Sequence, residues 1–486
     1  MEKDNPECNL LSESKKRLID WADRTAVSRH IWRNKNSYFH QLDEQYLRFL
    51  VPEGLRVLAL GCGTGVKLSK LSTSYGLGVD ISSKKIEIAT NSYEQLEFLV
   101  GDVEDPEILS KAQLKGPFDV ILLDDTLGFI EDIQKFLTNL QQLCSENTRI
   151  ISVYYAFFWE PIMKAAERMG LRMPTVKVTW LRMSDIENFM AISGLETVKK
   201  EWRILLPRKC LGLGPLLNKY IGVLPVIRKL ALRHYLIARR KPQRLQKHLK
   251  VTVVIPCRNE KGNIEDAVTR IPNLGHPIEI LFVEGHSKDE TWEEIKRVQK
   301  KYPDKTITAI KQPGEGKGDA VRAAFSIAKG EILIILDGDL TVPPEDLPKF
   351  YEALVSGKGE FINGTRLVYP MENEAMRFLN HIANRCFAQL FSFLLNQSYT
   401  DTLCGTKALT KQSYQKIALN REYFGDFDPF GDFDLIFGAA KLNLKVVEIP
   451  IRYRSRQYGA TQISRFRHGI LLVRMVVFAF RKLKVL

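Results

Sequence analysis

The stretch ILIILDGDLTVPPEDL, residues 332–347, is an apolar β-forming run that stops on Asp337-Gly-Asp339 and then meets two prolines. Two carboxylates one residue apart at a strand end repel each other unless a positive charge stands between them. Oxygen donors of this kind suit Mg²⁺ or Mn²⁺, and such a cation can bridge a bound diphosphate and stabilise its charge on departure. Alone, an Asp-x-Asp is equally well a surface turn, so its meaning depends on what surrounds it.

On either side of it, residues 250–365 contain the runs KVTVVIPCRNE, IEILFVEG, ITAIKQP, EILIILDGD and GEFINGTR, separated by helical segments. That is the rhythm of a doubly wound α/β sheet. A second series precedes it: RVLALG, GLGVDI, LEFLVGD, FDVILLDD and TRIISVYY, between residues 55 and 200. In it RVLALGCGTGVKL, residues 56–68, also ends a strand, but on glycines and without an acid. Between the two series lies a segment broken by Pro and Gly and ending in RRKPQR. The chain of 486 residues therefore divides into an α/β domain over 1–202, a basic amphipathic linker over 203–249, a second α/β domain over 250–465 and a basic amphipathic segment over 466–486.

Charge is concentrated rather than spread. Residues 203–250 hold thirteen Lys/Arg and residues 451–486 hold nine, with no Asp or Glu in either stretch; against a net +14, the rest of the chain carries −8. Two basic patches on otherwise acidic domains suit an anionic membrane surface or nucleic acid. No aromatic-rich reading surface accompanies them, so no nucleic-acid partner is expected. The seven scattered cysteines form no CxxC pair, which favours reduced thiols in a cytosolic protein. The N-terminus has no apolar core of a secretory signal, and no run is long enough to span a bilayer.

Gly61-Cys-Gly63-Thr-Gly65 follows a strand and precedes a helix, where glycines let backbone amides approach a ligand. Asp80 ends the next strand, placed to accept from ribose hydroxyls. Asp102 ends the third, placed to face an adenine amino group. A dinucleotide site is the alternative, but the spacing of the glycines fits it less well. This order resembles the class I S-adenosylmethionine-dependent methyltransferases over roughly residues 35–200, a Rossmann-like fold. The resemblance implies S-adenosylmethionine as cosubstrate, held by Gly61, Gly63, Gly65, Asp80 and Asp102. It usually includes an acid two residues before the first glycine that helps hold the amino-acid end of the cofactor; here Ala59 stands there. Asp124 and Asp125 lie where such enzymes meet the methyl acceptor, or are simply solvated strand-end acids.

Around Asp337 and Asp339, the motifs VTVVIPCRNE (251–260), VEGHSKDET (283–291), GEGKGDAVR (314–322), NGTR (363–366) and DTLCGTKAL (401–409) occur in order. The series resembles the family 2 glycosyltransferases with the GT-A fold, and within them the dolichol-phosphate mannosyltransferase-like branch, over about 250–465. It implies an inverting, metal-dependent transfer from a nucleoside diphosphate sugar (GDP- or UDP-linked), with Asp337 and Asp339 holding Mg²⁺ or Mn²⁺. By the same resemblance Pro256, Asn259 and Glu260 flank the base, Glu284 lies near base or ribose in place of the usual Asp, and Lys317 lies near the diphosphate. Arg366, Arg377 and Arg456 match phosphate-holding arginines. Thr341 replaces a Gln that often adds a metal ligand, and Gln462 replaces a Lys of the presumed phosphate pocket.

A hydroxyl acceptor needs a general base, and DPFGDFD offers Asp428, Asp432 and Asp434, Asp432 foremost. A polyprenyl phosphate is already ionised and needs positioning instead. The arginine set favours the polyprenyl phosphate; a glycosyltransferase acting on a sugar or lipid hydroxyl, with an idle N-terminal binding module, is the alternative. The segment 375–396 reads as an amphipathic helix with Leu379, Ile382, Cys386, Leu390 and Phe393 on one face. HGILLVRMVVFAFRKLKVL at 468–486 and VLPVIRKLALRHYLIARR at 223–240 read as basic amphipathic segments able to lie on anionic headgroups. The expected location is the cytoplasm, peripheral on a membrane; the oligomeric state is not legible.

Overall fold

A computed structural model describes residues 12–176, 178–242, 249–369, 378–424, 431, 433–459 and 465–485. The chain divides into two compact units, residues 1–241 and 242–486.

The first unit is built on β1 (Arg56–Leu60), β2 (Tyr75–Asp80), β3 (Glu97–Val100), β4 (Phe118–Asp124), β5 (Cys144–Tyr155), β6 (Leu195–Arg203) and β7 (Arg233–Arg240). Their order in the sheet is β3-β2-β1-β4-β5-β7-β6. The first five pair in parallel, and β7 runs antiparallel between β5 and β6. Val57, Leu58, Leu77, Val79, Ile121 and Ile150 are fully buried, as strands covered on both faces require. Three helices, Glu13–Thr25, Ser28–Lys35 and Ser37–Leu50, precede the sheet. The first begins at Ser12, whose side chain accepts from the Lys15 amide.

β7 corrects the reading of 203–249 as a linker. RHYLIARR is a fully paired interior strand, and Tyr235, Leu236, Ile237 and Ala238 are buried in it. Its flanking arginines look amphipathic in sequence, yet Arg233 is itself wholly buried because three carboxylates surround it. The first unit ends at Lys241.

The second unit contains β8 (Val251–Cys257), β9 (Ile278–Glu284), β10 (Thr306–Lys311), β11 (Ile332–Ile335), β12 (Phe361–Thr365), β13 (Lys407–Thr410) and β14 (Val446–Pro450). The order is β10-β9-β8-β11-β13-β12-β14, with β13 antiparallel to both neighbours. Both sheets are thus mixed α/β, each of seven strands among the described residues. β11 pairs with β8 and β13 on its two sides, so the strand leading to Asp337 sits in the middle of the sheet.

The helix expected at 375–396 is observed as Phe378–Leu395, packed on the helix Arg465–Leu483. Its buried stripe is Ala388, Phe391, Leu394 and Leu395, whereas Cys386 and Leu390 are exposed. The face centred on Cys386 and Leu390 in sequence is therefore rotated away from the core; the side chains of Leu379 and Ile382 lie outside the described residues. The C-terminal helix buries Leu472, Met475, Ala479 and Leu483, so it belongs to the body of this unit rather than forming a separate segment. Its other face leaves Ile470, Val473 and Val477 exposed beside Arg474 and Arg481. Among the described residues no helix is long and apolar enough to cross a membrane.

Candidate active sites

In the first unit the turn after β1 holds Gly61, Gly63 and Gly65 at φ of 74°, 59° and 73°, a left-handed geometry that disfavours side chains. Close packing explains two of them: an added Cβ would stand 2.7 Å from Thr126 Oγ1 at Gly61 and 2.8 Å from Phe98 at Gly65. Gly63 differs, meeting only Arg29 Nε at 3.9 Å, so its backbone faces open space. That space is a cavity of about 710 Å³ lined by the turn, Asp80, Asp102, Asp124, Asp125 and residues of the three N-terminal helices.

Asp80 Oδ2 accepts from the Gly63 amide at 2.8 Å and its Oδ1 from the Ser82 amide at 3.0 Å. The acid thus braces the turn, and each oxygen keeps a lone pair for a ligand hydroxyl. Asp102 Oδ1 accepts from Lys15 Nζ and from the Glu104 amide, both at 3.0 Å. These positions fit an adenosine-bearing cofactor: an open backbone turn, with one carboxylate at the end of β2 and another just beyond β3.

Beneath the same cavity lies a network that sequence reading missed. Asp43, fully buried on the third helix, accepts from Lys67, from Arg233 Nε at 3.2 Å and from the Tyr235 hydroxyl. Arg233 also reaches Asp124 at 2.8 Å and Asp125 at 2.5 Å, and Lys67 reaches Asp124 at 2.6 Å. Burial alone would raise the Asp43 carboxyl, but Arg233 and Lys67 hold it well below the usual carboxylate range. For Asp125 burial wins and its carboxyl is raised; the residue also adopts a left-handed φ of 57° at the cavity wall. Ala59 is buried in β1 and contributes no charge.

In the second unit Asp337 and Asp339 emerge just past β11, and each meets a cation. Lys317 Nζ, at the start of the helix Lys317–Ile327, donates to Asp337 Oδ1 at 2.6 Å. Burial opposes its ionisation, yet Lys317 keeps the Asp337 carboxyl below its ordinary range. Arg456 Nη2 donates to Asp339 Oδ2 at 2.6 Å, and Thr341 donates to Asp339 Oδ1 through its hydroxyl at 2.8 Å and its amide at 3.1 Å. Gly338 passes so close to β8 that a Cβ would stand 2.8 Å from the Pro256 carbonyl oxygen. Among the described residues no group of three His, Cys, Asp or Glu could hold a metal unaided. Two carboxylates do fit a divalent cation whose remaining ligands are phosphate oxygens and water.

Arg456 also donates to Glu260 Oε1 at 3.2 Å, and the Asn263 side-chain amide donates to Glu260 Oε2 at 2.6 Å. Burial outweighs both and pushes the Glu260 carboxyl up to about 7. Asn259, at φ 57°, accepts from the Lys288 amide at 2.7 Å. Glu284 is buried and accepts from the Ser287 amide at 2.5 Å, so it shapes the loop after β9. Arg366 forms a two-pronged pair with Asp401, at 2.6 and 2.9 Å. Asp434 accepts from Arg421 at 2.8 Å. Arg377, Asp428, Asp432 and Gln462 lie outside the described residues.

Two residues of DTLCGTKAL carry more of the geometry than their sequence signal suggested. Asp401, fully buried, orients Arg366. Gly405 lies against both Asp337 and Lys317, where a Cβ would stand 2.5 Å from Asp337 Oδ1. A third close approach joins Gly431 to the start of the Lys317 helix, with a Cβ 2.6 Å from Gly318 Cα.

Comparison with known proteins agrees with this division. Residues 52–190 match the family described as a methyltransferase domain, and residues 252–418 match glycosyl transferase family 2. The chain is similar to the dolichol-phosphate mannosyltransferase of Pyrococcus furiosus, 31% identical over 221 residues, 44% of this chain and 60% of that protein's length. It is also similar to the dolichyl-phosphate hexose transferase of Haloferax volcanii, 27% identical over 228 residues, 47% of this chain and 92% of that protein. Among solved structures it aligns with a SAM-dependent methyltransferase of Thermotoga maritima at 16% identity and TM-score 0.34, covering 46% of this chain and 100% of that one. It aligns with glucosyl-3-phosphoglycerate synthase of Mycobacterium tuberculosis at 14% identity and TM-score 0.37, covering 49% and 81%. Residues 52–190 of this chain thus match a methyltransferase domain and residues 252–418 match glycosyl transferase family 2, one in each unit.

Proposed function

We propose that the second unit transfers a sugar, with inversion, from a nucleoside diphosphate sugar to a polyprenyl phosphate. The observation that carries this reading is the strand end at Asp337 and Asp339, each carboxylate turned toward a cation from a different part of the chain. When bound there, Mg²⁺ or Mn²⁺ would supply charge stabilisation for the departing diphosphate. Lys317 adds a positive charge on the Asp337 side, and Arg456 does so on the Asp339 side. An ionised phosphate acceptor attacks without a general base, so its placement is the remaining requirement. Arg366, held by Asp401, and Arg456, which faces Asp339 and Glu260, bring guanidinium charge suited to phosphate oxygens. The names of the Pyrococcus and Haloferax relatives support a dolichyl-phosphate type of acceptor.

The first unit binds S-adenosylmethionine in this reading, with Gly63 at the open turn, Asp80 toward ribose and Asp102 toward adenine, and methylates a related glycan or lipid intermediate. The protein works as a peripheral membrane protein, with Ile470, Val473 and Val477 of the C-terminal helix turned to the bilayer. The test is transfer of label from a panel of nucleoside diphosphate sugars to polyprenyl phosphate in detergent with Mg²⁺ or Mn²⁺, read by organic extraction. Label that requires metal and lipid phosphate and vanishes in Asp339→Ala supports the reading. A donor that is bound or hydrolysed but never labels the lipid refutes the phosphate acceptor.

A further inference from the structure

Between β6 and β7 the first unit carries a folded segment, residues 205–230, whose polarity is inverted. Leu211, Leu213, Leu216, Tyr220, Val226 and Leu230 are exposed, Leu211 completely and Val226 by 80%. The polar Asn218 turns inward instead. Its Oδ1 accepts from the Leu206 amide at 2.9 Å, and its Nδ2 donates to the Leu206 carbonyl at 2.7 Å and to the Tyr38 hydroxyl at 3.1 Å. The Trp159 indole donates to the Leu230 carbonyl at 3.0 Å, and Val223 is buried beneath. The segment is therefore pinned at several points and holds its apolar side chains outward in a defined arrangement. A soluble surface scatters such residues singly; six of them within twenty residues of one pinned segment mark something that covers it.

Charge identifies the cover. Arg208, Lys209, Lys219, Arg228 and Lys229 lie in the same segment, and it has no Asp or Glu. Lys209, Lys219 and Lys229 are exposed among the leucines. Exposed apolar side chains interspersed with exposed cations are the complement of a bilayer surface, acyl chains beneath anionic headgroups. Pro207 and Arg208, at the root of the segment, also line the 710 Å³ cavity. We infer that residues 205–230 dock the methyltransferase unit on an anionic membrane, so that its cavity receives a methyl acceptor presented from the bilayer. This deepens the peripheral-membrane reading and places a contact on the first unit, separate from the C-terminal helix.

The test is cosedimentation of the full chain with phosphatidylcholine vesicles with and without phosphatidylglycerol. Four chains are compared: wild type, Leu213→Asp/Leu216→Asp, Lys209→Glu/Lys219→Glu, and Val473→Asp/Val477→Asp as the counterpart on the second unit. Binding of S-adenosylhomocysteine and the circular dichroism spectrum report that the first unit is folded. Affinity for phosphatidylglycerol vesicles is expected to fall by roughly tenfold or more in Leu213→Asp/Leu216→Asp. Lys209→Glu/Lys219→Glu, a milder change to the fold, is expected to remove the preference for anionic over zwitterionic vesicles. Unchanged binding in both variants, with loss only in Val473→Asp/Val477→Asp, overturns this inference and leaves the peripheral reading standing. No vesicle binding by the wild type overturns both. A wild-type dimer that becomes monomeric in Leu213→Asp/Leu216→Asp, without any vesicle effect, assigns the surface to a second copy and also overturns it.

Discussion

Gly405→Ala tests whether the geometry between Lys317 and Asp337 is needed for transfer. Gly405 is buried in the loop before β13, and its φ is not left-handed, so alanine meets no backbone penalty there. The obstacle is space: the new Cβ would stand 2.5 Å from Asp337 Oδ1 and closer still to Oδ2 and to Lys317 Nζ. A carbon–oxygen contact needs at least about 3.3 Å, so the carboxylate and the ammonium must both retreat by about 1 Å. Misplacement of that size at a reacting centre costs roughly a hundredfold in rate, or about 2.7 kcal/mol of barrier. Overpacking a buried site also costs about 1–3 kcal/mol of stability, which leaves a folded protein to assay. The measurement is the initial rate of label transfer to polyprenyl phosphate at saturating donor, beside a melting curve. Gly469→Ala serves as the control, since a Cβ there meets nothing within 4 Å on the C-terminal helix. It should transfer at the wild-type rate and gain up to about 1 kcal/mol of stability. A folded Gly405→Ala protein with near-normal turnover would refute the assignment of Asp337 and Lys317 to the reaction.

Asp43→Ala removes the fully buried carboxylate shared by Lys67 and Arg233, leaving Arg233 its pairs to Asp124 and Asp125, and should destabilise the first unit by about 3 kcal/mol in urea. Arg233→Met in the same background should lose less than the sum of the two single variants; strictly additive losses would show that the pair does not act together. Glu260 should give a pH signature. Its carboxyl lies at about 7 in the folded chain against an ordinary 4.5, so the folded state binds more protons in that window. Its contribution to stability is therefore present below 4.5 and lost as pH rises to about 7. Glu260→Gln should flatten that part of a melting-temperature profile, and an unaltered profile would show that another group titrates. Asp80→Ala should weaken S-adenosylhomocysteine binding by at least about tenfold in calorimetry, the loss of one charge-assisted hydrogen bond and of the brace on Gly63. Ala59→Asp should tighten it if the missing acid limits affinity, and no change would mean that the cavity compensates elsewhere.

Much of both sites is legible in local sequence because each rests on a strand end. RVLAL and ILII are buried β runs, and the residues directly after a buried central strand are forced to its C-terminal edge. Gly61, Gly63, Gly65, Asp80, Asp337 and Asp339 could therefore be placed by periodicity alone.

Local sequence could not reveal the features decided by partners far along the chain. RHYLIARR has charges at both ends and an apolar middle, a pattern compatible with an amphipathic surface helix or an interior strand. It becomes an interior strand because Asp43, Asp124 and Asp125 converge on Arg233 across separations of up to 190 residues. Arg456 meets Asp339 across 117 residues, and Asp401 aligns Arg366 from another strand connection. The helix Phe378–Leu395 shows the same division. Its period announces a helix, but which apolar stripe is buried was settled by the body it packs on. Sequence by itself determines the elements and the residues at their ends, since those follow from period, propensity and turn chemistry. Only the tertiary structure decides which charges are neutralised and which apolar faces stay bare, because burial and ion pairing depend on residues brought together by the fold.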